Sequence, residues 1–113
     1  MTLTTSDIAT FESTRRWLAS RRAVWGQTGD EETYLEALTR FCSEAAKDPE
    51  QMVDDCLRRS SEGGPFVLRV RARREYMQLI DKFEANGAGR DAGNAVRSFF
   101  IHNGVAMNPS ILK

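Results

Sequence analysis

Tyr34, Leu35, Leu38, Phe41, Cys42 and Ala45 share one face of an α-helix and cannot share one face of a strand. Their i, i+3, i+4, i+7 pattern has the period of a helical turn, and it predicts a helix from about Asp30 to Ala46. Asp30, or Thr28 with Glu31 in a capping box, can close its start. Glu31, Glu32 and Glu36 suit the positive end of its dipole. A helix with one apolar face must bury that face against another element. This segment therefore commits the chain to helix-on-helix packing wherever its neighbours carry matching stripes.

They do. Ile8, Phe11 and Leu18, with Trp17 beside them, predict a first helix over about Asp7–Arg22, capped by Ser6 or Asp7. The run Trp25–Asp30 holds two glycines among polar residues and reads as a turn. Asp48-Pro49 opens another helix, since proline at the first helical position loses no hydrogen bond; Met52, Val53, Cys56 and Leu57 face inward from it. Ser60–Pro65 reads as a loop. A long helix is expected from Phe66 to Ala85 on the stripe Val70, Tyr76, Met77, Leu79, Ile80 and Phe83. No strand is expected, although Val67–Val70 has strand-like residues. After a break at Asn86–Gly89 a last helix runs from Arg90, with Ala92, Ala95, Val96, Phe99 and Phe100 inward and Gly104 placed to end it. These elements predict a compact all-α bundle of four to five short helices over residues 1–107, with 108–113 as a tail. The expected core is Phe11, Leu18, Tyr34, Leu38, Phe41, Val53, Leu57, Ile80, Phe83, Val96 and Phe99.

Charge narrows the function classes. Lys+Arg and Asp+Glu are both 16, so the formal net charge is zero, which argues against a strongly cationic nucleic-acid binder. The charges are nonetheless segregated: residues 1–29 carry +2, 30–62 carry −6 and 63–113 carry +4. Such segregation can produce a one-sided field. Cys42 and Cys56 lie on apolar stripes and read as small buried hydrophobes in a reducing compartment. His102 is the only histidine, so a zinc site lacks ligands, and no cofactor is expected. No apolar run reaches membrane-spanning length, and the start Met-Thr-Leu-Thr-Thr-Ser-Asp has no signal-peptide character. A cytoplasmic protein is expected.

Enzyme signatures are missing. No nucleophile elbow or cysteine-protease pattern surrounds a Ser or Cys that His102 could serve, and His102, at a helix end, reads as solvated. Asp30-Glu31-Glu32 lacks the spaced ligands of a calcium loop, and Gly87 and Gly89 lack the Lys-Ser/Thr of a phosphate loop. Arg69, Arg71, Arg73 and Arg74 fan around their helix instead of forming one row. Arg90, Asn94 and Arg97 are spaced by four and three and would share one outward edge of the last helix, with Ser98 on the same side. Arg and Asn in such a row are suited to base edges or phosphates in a major groove; the same row is equally a solvated helix face.

Three segments, in order, carry a resemblance: Thr33-Tyr-Leu-Glu-Ala-Leu-Thr-Arg-Phe-Cys42, Lys47-Asp-Pro-Glu-Gln-Met-Val53 and Ala95-Val-Arg-Ser-Phe-Phe-Ile-His-Asn-Gly-Val105, with Arg15-Arg-Trp-Leu18 ahead of them. Over about residues 6–106 the chain resembles the N-terminal, SAM-like core-binding domain of tyrosine recombinases and phage-type integrases. That resemblance implies a helical module that docks on double-stranded DNA during DNA integration and recombination. The helices beginning near Asp30 and Arg90 would approach the major groove, adding Arg40 and Thr33 to Arg90, Asn94 and Arg97 as contacts. Cleavage would belong to a separate catalytic domain, of the same or a partner recombinase, with an Arg, a His-x-x-Arg box and a nucleophilic Tyr. None of these stands in this chain, so no cleavage by it is expected, and residues 108–113 would begin the linker. Two departures stand out: Asp30-Glu31-Glu32 occupies a helix start where the family places Thr and Arg, and the net charge is zero. A helical protein–protein interaction module that does not bind DNA is the alternative, and a small enzyme ranks below both.

Overall fold

Thr4 starts the first helix, α1 (Thr5–Ala9), in a computed structural model that describes residues 3–59 and 66–107. Its hydroxyl accepts the Asp7 N–H and the Asp7 carboxylate accepts the Thr4 N–H, a reciprocal cap. Phe11 is then extended (φ −69°, ψ 141°), and the chain restarts as α2 (Glu12–Trp25). The single helix expected over Asp7–Arg22, capped by Ser6 or Asp7, is thus two helices capped from Thr4. Ile8 and Trp17 give the physical reason. Nine residues apart, they would face opposite ways on a straight helix; the break lets both bury completely.

No side chain of its own end caps α2. Its Ser13 N–H instead donates to the Glu50 carboxylate at 2.6 Å, a bond between residues 37 positions apart. Next comes α3 (Glu31–Ala45), ended by Ala46 in the left-handed region (φ 56°). The expected Asp48–Pro49 start is present in α4 (Pro49–Cys56), where Asp48 and Gln51 cap each other reciprocally.

Beyond α4 the expectation that no strand forms fails. Leu57–Arg59 (β1) and Phe66–Leu68 (β2) pair antiparallel, with Leu57 opposite Leu68, and the helix expected from Phe66 begins only as α5 (Val70–Phe83). A strand was available at Phe66-Val67-Leu68, where branched and aromatic residues favour extended backbone. Leu57, leaving α4 extended, supplies the partner. The Arg69 N–H continues the pairing to the Cys56 carbonyl at 2.7 Å. The loop expected at Ser60–Pro65 and the tail 108–113 lie outside the described residues.

A wide π-type turn at Glu84–Ala88, with Gly87 at φ 111°, joins α5 to the last helix, α6 (Gly89–His102). This is the break expected at Asn86–Gly89. Asn103 ends α6 and ties it back to α2: its Nδ2 donates to the carbonyls of Ser13 and Phe99, and its Oδ1 accepts from Arg16 at 2.7 Å.

The fold is an all-α bundle with one small hairpin. Its interior is aromatic. Phe99 meets Trp17 edge-on at 5.6 Å and Phe100 at 5.5 Å, and Phe41 meets Phe83 at 5.4 Å. Leu38, Phe41, Val53, Ile80, Phe83, Val96 and Phe99 are buried as expected. Phe11, Leu18, Tyr34 and Leu57 are only half-buried, and Trp17 takes the central place instead. Both cysteines are free and buried. Burial pushes the Cys42 thiol up to about 12 and the Cys56 thiol up to about 11, so both stay protonated and inert at neutral pH. Among the described residues no helix is long and apolar enough to cross a membrane, and no cluster of metal-ligating side chains occurs.

Candidate nucleic-acid interface

Helices α3 and α6 pack side by side, and between them runs an open groove of about 780 Å³ with Trp25 and the α6 C-terminal His102 among its lining. Thr33 and Arg40 enter it from α3, and Asn94 and Arg97 from α6. Arg90 follows the Ala88–Gly89 entry into α6, beside Asp91 of the groove wall, and is exposed. Four of the five residues singled out in the sequence therefore meet in one concavity, although those on α3 lie more than fifty positions from those on α6.

Arg97 does not sit on the outward edge expected of it. It is only 5% exposed. Its guanidinium donates to Glu84 at 2.7 Å, to Asp81 at 3.0 Å and to the Asn94 side-chain carbonyl at 2.9 Å. The π-type turn brings Glu84 under α6, and the planar five-donor fork of arginine satisfies both carboxylates and the amide at once. Arg97 is thus a structural clamp between the end of α5 and α6, and it orients Asn94 in the groove. Ser98 is likewise engaged: it accepts the Trp17 indole N–H at 3.0 Å.

Gly93 is part of this clamp. A Cβ there would lie 2.0 Å from the Glu84 carboxylate. Alanine is the better helix former by about 1 kcal/mol, so an unconstrained Gly93→Ala would stabilise. Here the added methyl must displace a carboxylate held by Arg97, and Gly93→Ala is expected to lower the melting temperature, read by thermal circular dichroism. Unchanged or raised stability would contradict the clamp.

The acidic start of α3 is also not what its sequence implied. Arg22 forks onto Glu31 with two bonds of 2.6 Å, and Arg21, buried at 6% exposure, reaches Asp30 at 3.1 Å while lying 3.9 Å over the Tyr34 ring. The Thr28 hydroxyl and Arg21 hold the Asp30 carboxyl below its ordinary range, and Arg22 does the same for Glu31. Two of the three carboxylates expected to repel phosphate are therefore matched by cations from α2; Glu32 remains exposed. Arg40 in the groove and Arg90 at the start of α6 are exposed and make no ion pair among the described residues. Arg40 lies 5.6 Å from the Phe83 ring. Glu36 and Asp91 lie on the same walls, so the rim has mixed charge.

Comparison with protein-family models, curated proteins and solved structures finds no match.

His102 is partly buried, not solvated as its position at the helix end suggested. Its Nδ1 is 2.7 Å from the Ser20 hydroxyl, and the Trp25 ring packs edge-on at 5.8 Å. Burial, with Arg21 nearby, lowers its pKa and favours the neutral ring at pH 7. Sequence reading missed the arginine partners at Asp30 and Glu31 and the carboxylates at Arg97. One signal was available: Arg21-Arg22 precedes Asp30-Glu31 by nine residues across a short turn, close enough for antiparallel neighbours to pair.

Proposed function

We propose that this chain is a DNA-docking helical domain of the tyrosine-recombinase core-binding type, and that the α3–α6 groove is its docking face. The observation that supports this most is the convergence of Thr33, Arg40 and Asn94 on one concavity, with exposed Arg90 next in the chain to groove-lining Asp91. Arg40 and Arg90 act as phosphate contacts, and Asn94, held in place by Arg97, is the base-edge candidate. Integration and recombination chemistry belongs in this reading to a catalytic domain of the same or a partner recombinase. The groove offers few cations, so the isolated chain binds duplex of random sequence weakly, at about 10⁻⁴–10⁻⁶ M. Clamping by two linked domains raises the effective concentration of each.

Fluorescence anisotropy with a labelled random duplex, titrated at two salt concentrations, tests the reading. Arg40→Ala/Arg90→Ala is expected to weaken binding and to lower the log–log salt slope by about 1.8, since each phosphate contact contributes about 0.9. A flat trace for the unaltered chain at low salt would sink DNA docking.

The groove floor favours a second reading. Tyr34, Ala37, Ala92 and Ala95 line it, and Trp25 and Ile101 beside it are 62% and 41% exposed. An apolar trough with an aromatic end also suits an amphipathic partner helix. A helical interaction module would use the same face and ignore DNA.

A further inference from the structure

Resting on the DNA reading, we infer that the outer face of α5 is a second contact surface for the phosphate backbone of duplex DNA. Arg71, Arg74, Gln78 and Lys82 are spaced by three, four and four, so they stand in one row along the helix. All four are exposed. The row is about 16 Å long at 1.5 Å per residue, enough to follow several phosphates of one strand. The sequence hid it, because neighbouring Arg69 and Arg73 make the basic run look like a fan. The structure removes those two. Arg73 is spent on the Ala106 carbonyl at 2.5 Å, and Arg69 precedes the helix.

The cations of the row are unmatched. Arg71, Arg74 and Lys82 make no ion pair among the described residues. Glu75, four residues after Arg71, does not come within ion-pair distance of it, and Asp81 is taken by Arg97. Arg71 also sits in the first turn of α5, which contains no acidic residue, with Arg73 and Arg74 directly behind it. Cations there oppose the helix dipole, so local stability does not account for them; an external polyanion does. The row also ends beside α3: Lys82 lines a small cavity with Phe41 and Glu44 of α3, one turn from Arg40. Contacts at Arg40 and along α5 can therefore serve one DNA segment.

The salt-dependent anisotropy titration, applied to the full chain, separates this surface from the groove. Arg71→Ala/Arg74→Ala/Lys82→Ala is expected to fold normally by circular dichroism and to lower the salt slope by about 2.7, at 0.9 per phosphate contact. Arg71→Lys/Arg74→Lys, which keeps both charges, should retain the slope. A triple variant that binds with the slope of the unaltered chain, while Arg40→Ala/Arg90→Ala weakens binding, overturns the α5 surface and leaves the groove standing. An unaltered chain that does not bind the duplex overturns the DNA reading and the α5 surface together.

Discussion

Arg97→Ala is expected to cost about 3 kcal/mol of folding stability and to lower the melting temperature by roughly 10 °C. Removing one member of a buried ion pair strands its partners, at about 3–5 kcal/mol. Glu84 keeps only 18% of its side chain exposed, whereas Asp81 is 63% exposed and rehydrates easily; the lower end of that range applies. Arg97→Lys keeps the charge but cannot fork onto Glu84, Asp81 and Asn94 at once, so it should fall between the two. Thermal and urea denaturation measure both. A melting temperature for Arg97→Ala within a degree or two of the unaltered chain would place Arg97 outside the clamp. In a DNA assay this variant is uninformative unless it is shown to be folded, which is why Arg40 and Arg90 carry the binding test.

Phe99→Ala should be at least as damaging. Its side chain is fully buried between the rings of Trp17 and Phe100, and deleting a core phenylalanine typically costs about 3–5 kcal/mol. Domains have only about 5–15 kcal/mol in total, so the variant should be partly unfolded near 37 °C or melt roughly 15 °C lower. Phe11→Ala, at a half-buried position where the chain breaks between α1 and α2, should cost less than half as much. Equal losses would mean that Phe11 belongs to the core after all.

These two residues mark how far the sequence could be read. Phe99 lies on a stripe whose period fixes its face, and the same logic located α3, α4 and the α6 interior. Phe11 also lies on a stripe, but the stripe continues across a break that only the need to bury both Ile8 and Trp17 reveals. The hairpin was hidden for a related reason. Three residues of Phe66-Val67-Leu68 are too few to show a period, and their partner strand starts at Leu57, which the α4 stripe had already claimed. At the candidate site, helical spacing singled out Asn94 and Arg97, and the recombinase resemblance added Thr33 and Arg40, on the two helices that form the groove. It could not tell Arg90, which stays exposed, from Arg97, which is spent on Glu84 and Asp81. That distinction depends on a π-type turn and on residues thirteen and sixteen positions away, a tertiary arrangement with no local pattern.

Backbone amide shifts of the isotope-labelled chain, titrated with a short random duplex at low salt, test the docking face most directly. Perturbations should saturate together at Thr33, Arg40, Arg90 and Asn94, with groove-lining Trp25 responding alongside them. Shifts that leave α3 and α6 untouched at saturating duplex, or no shifts at any concentration, would contradict docking on this face.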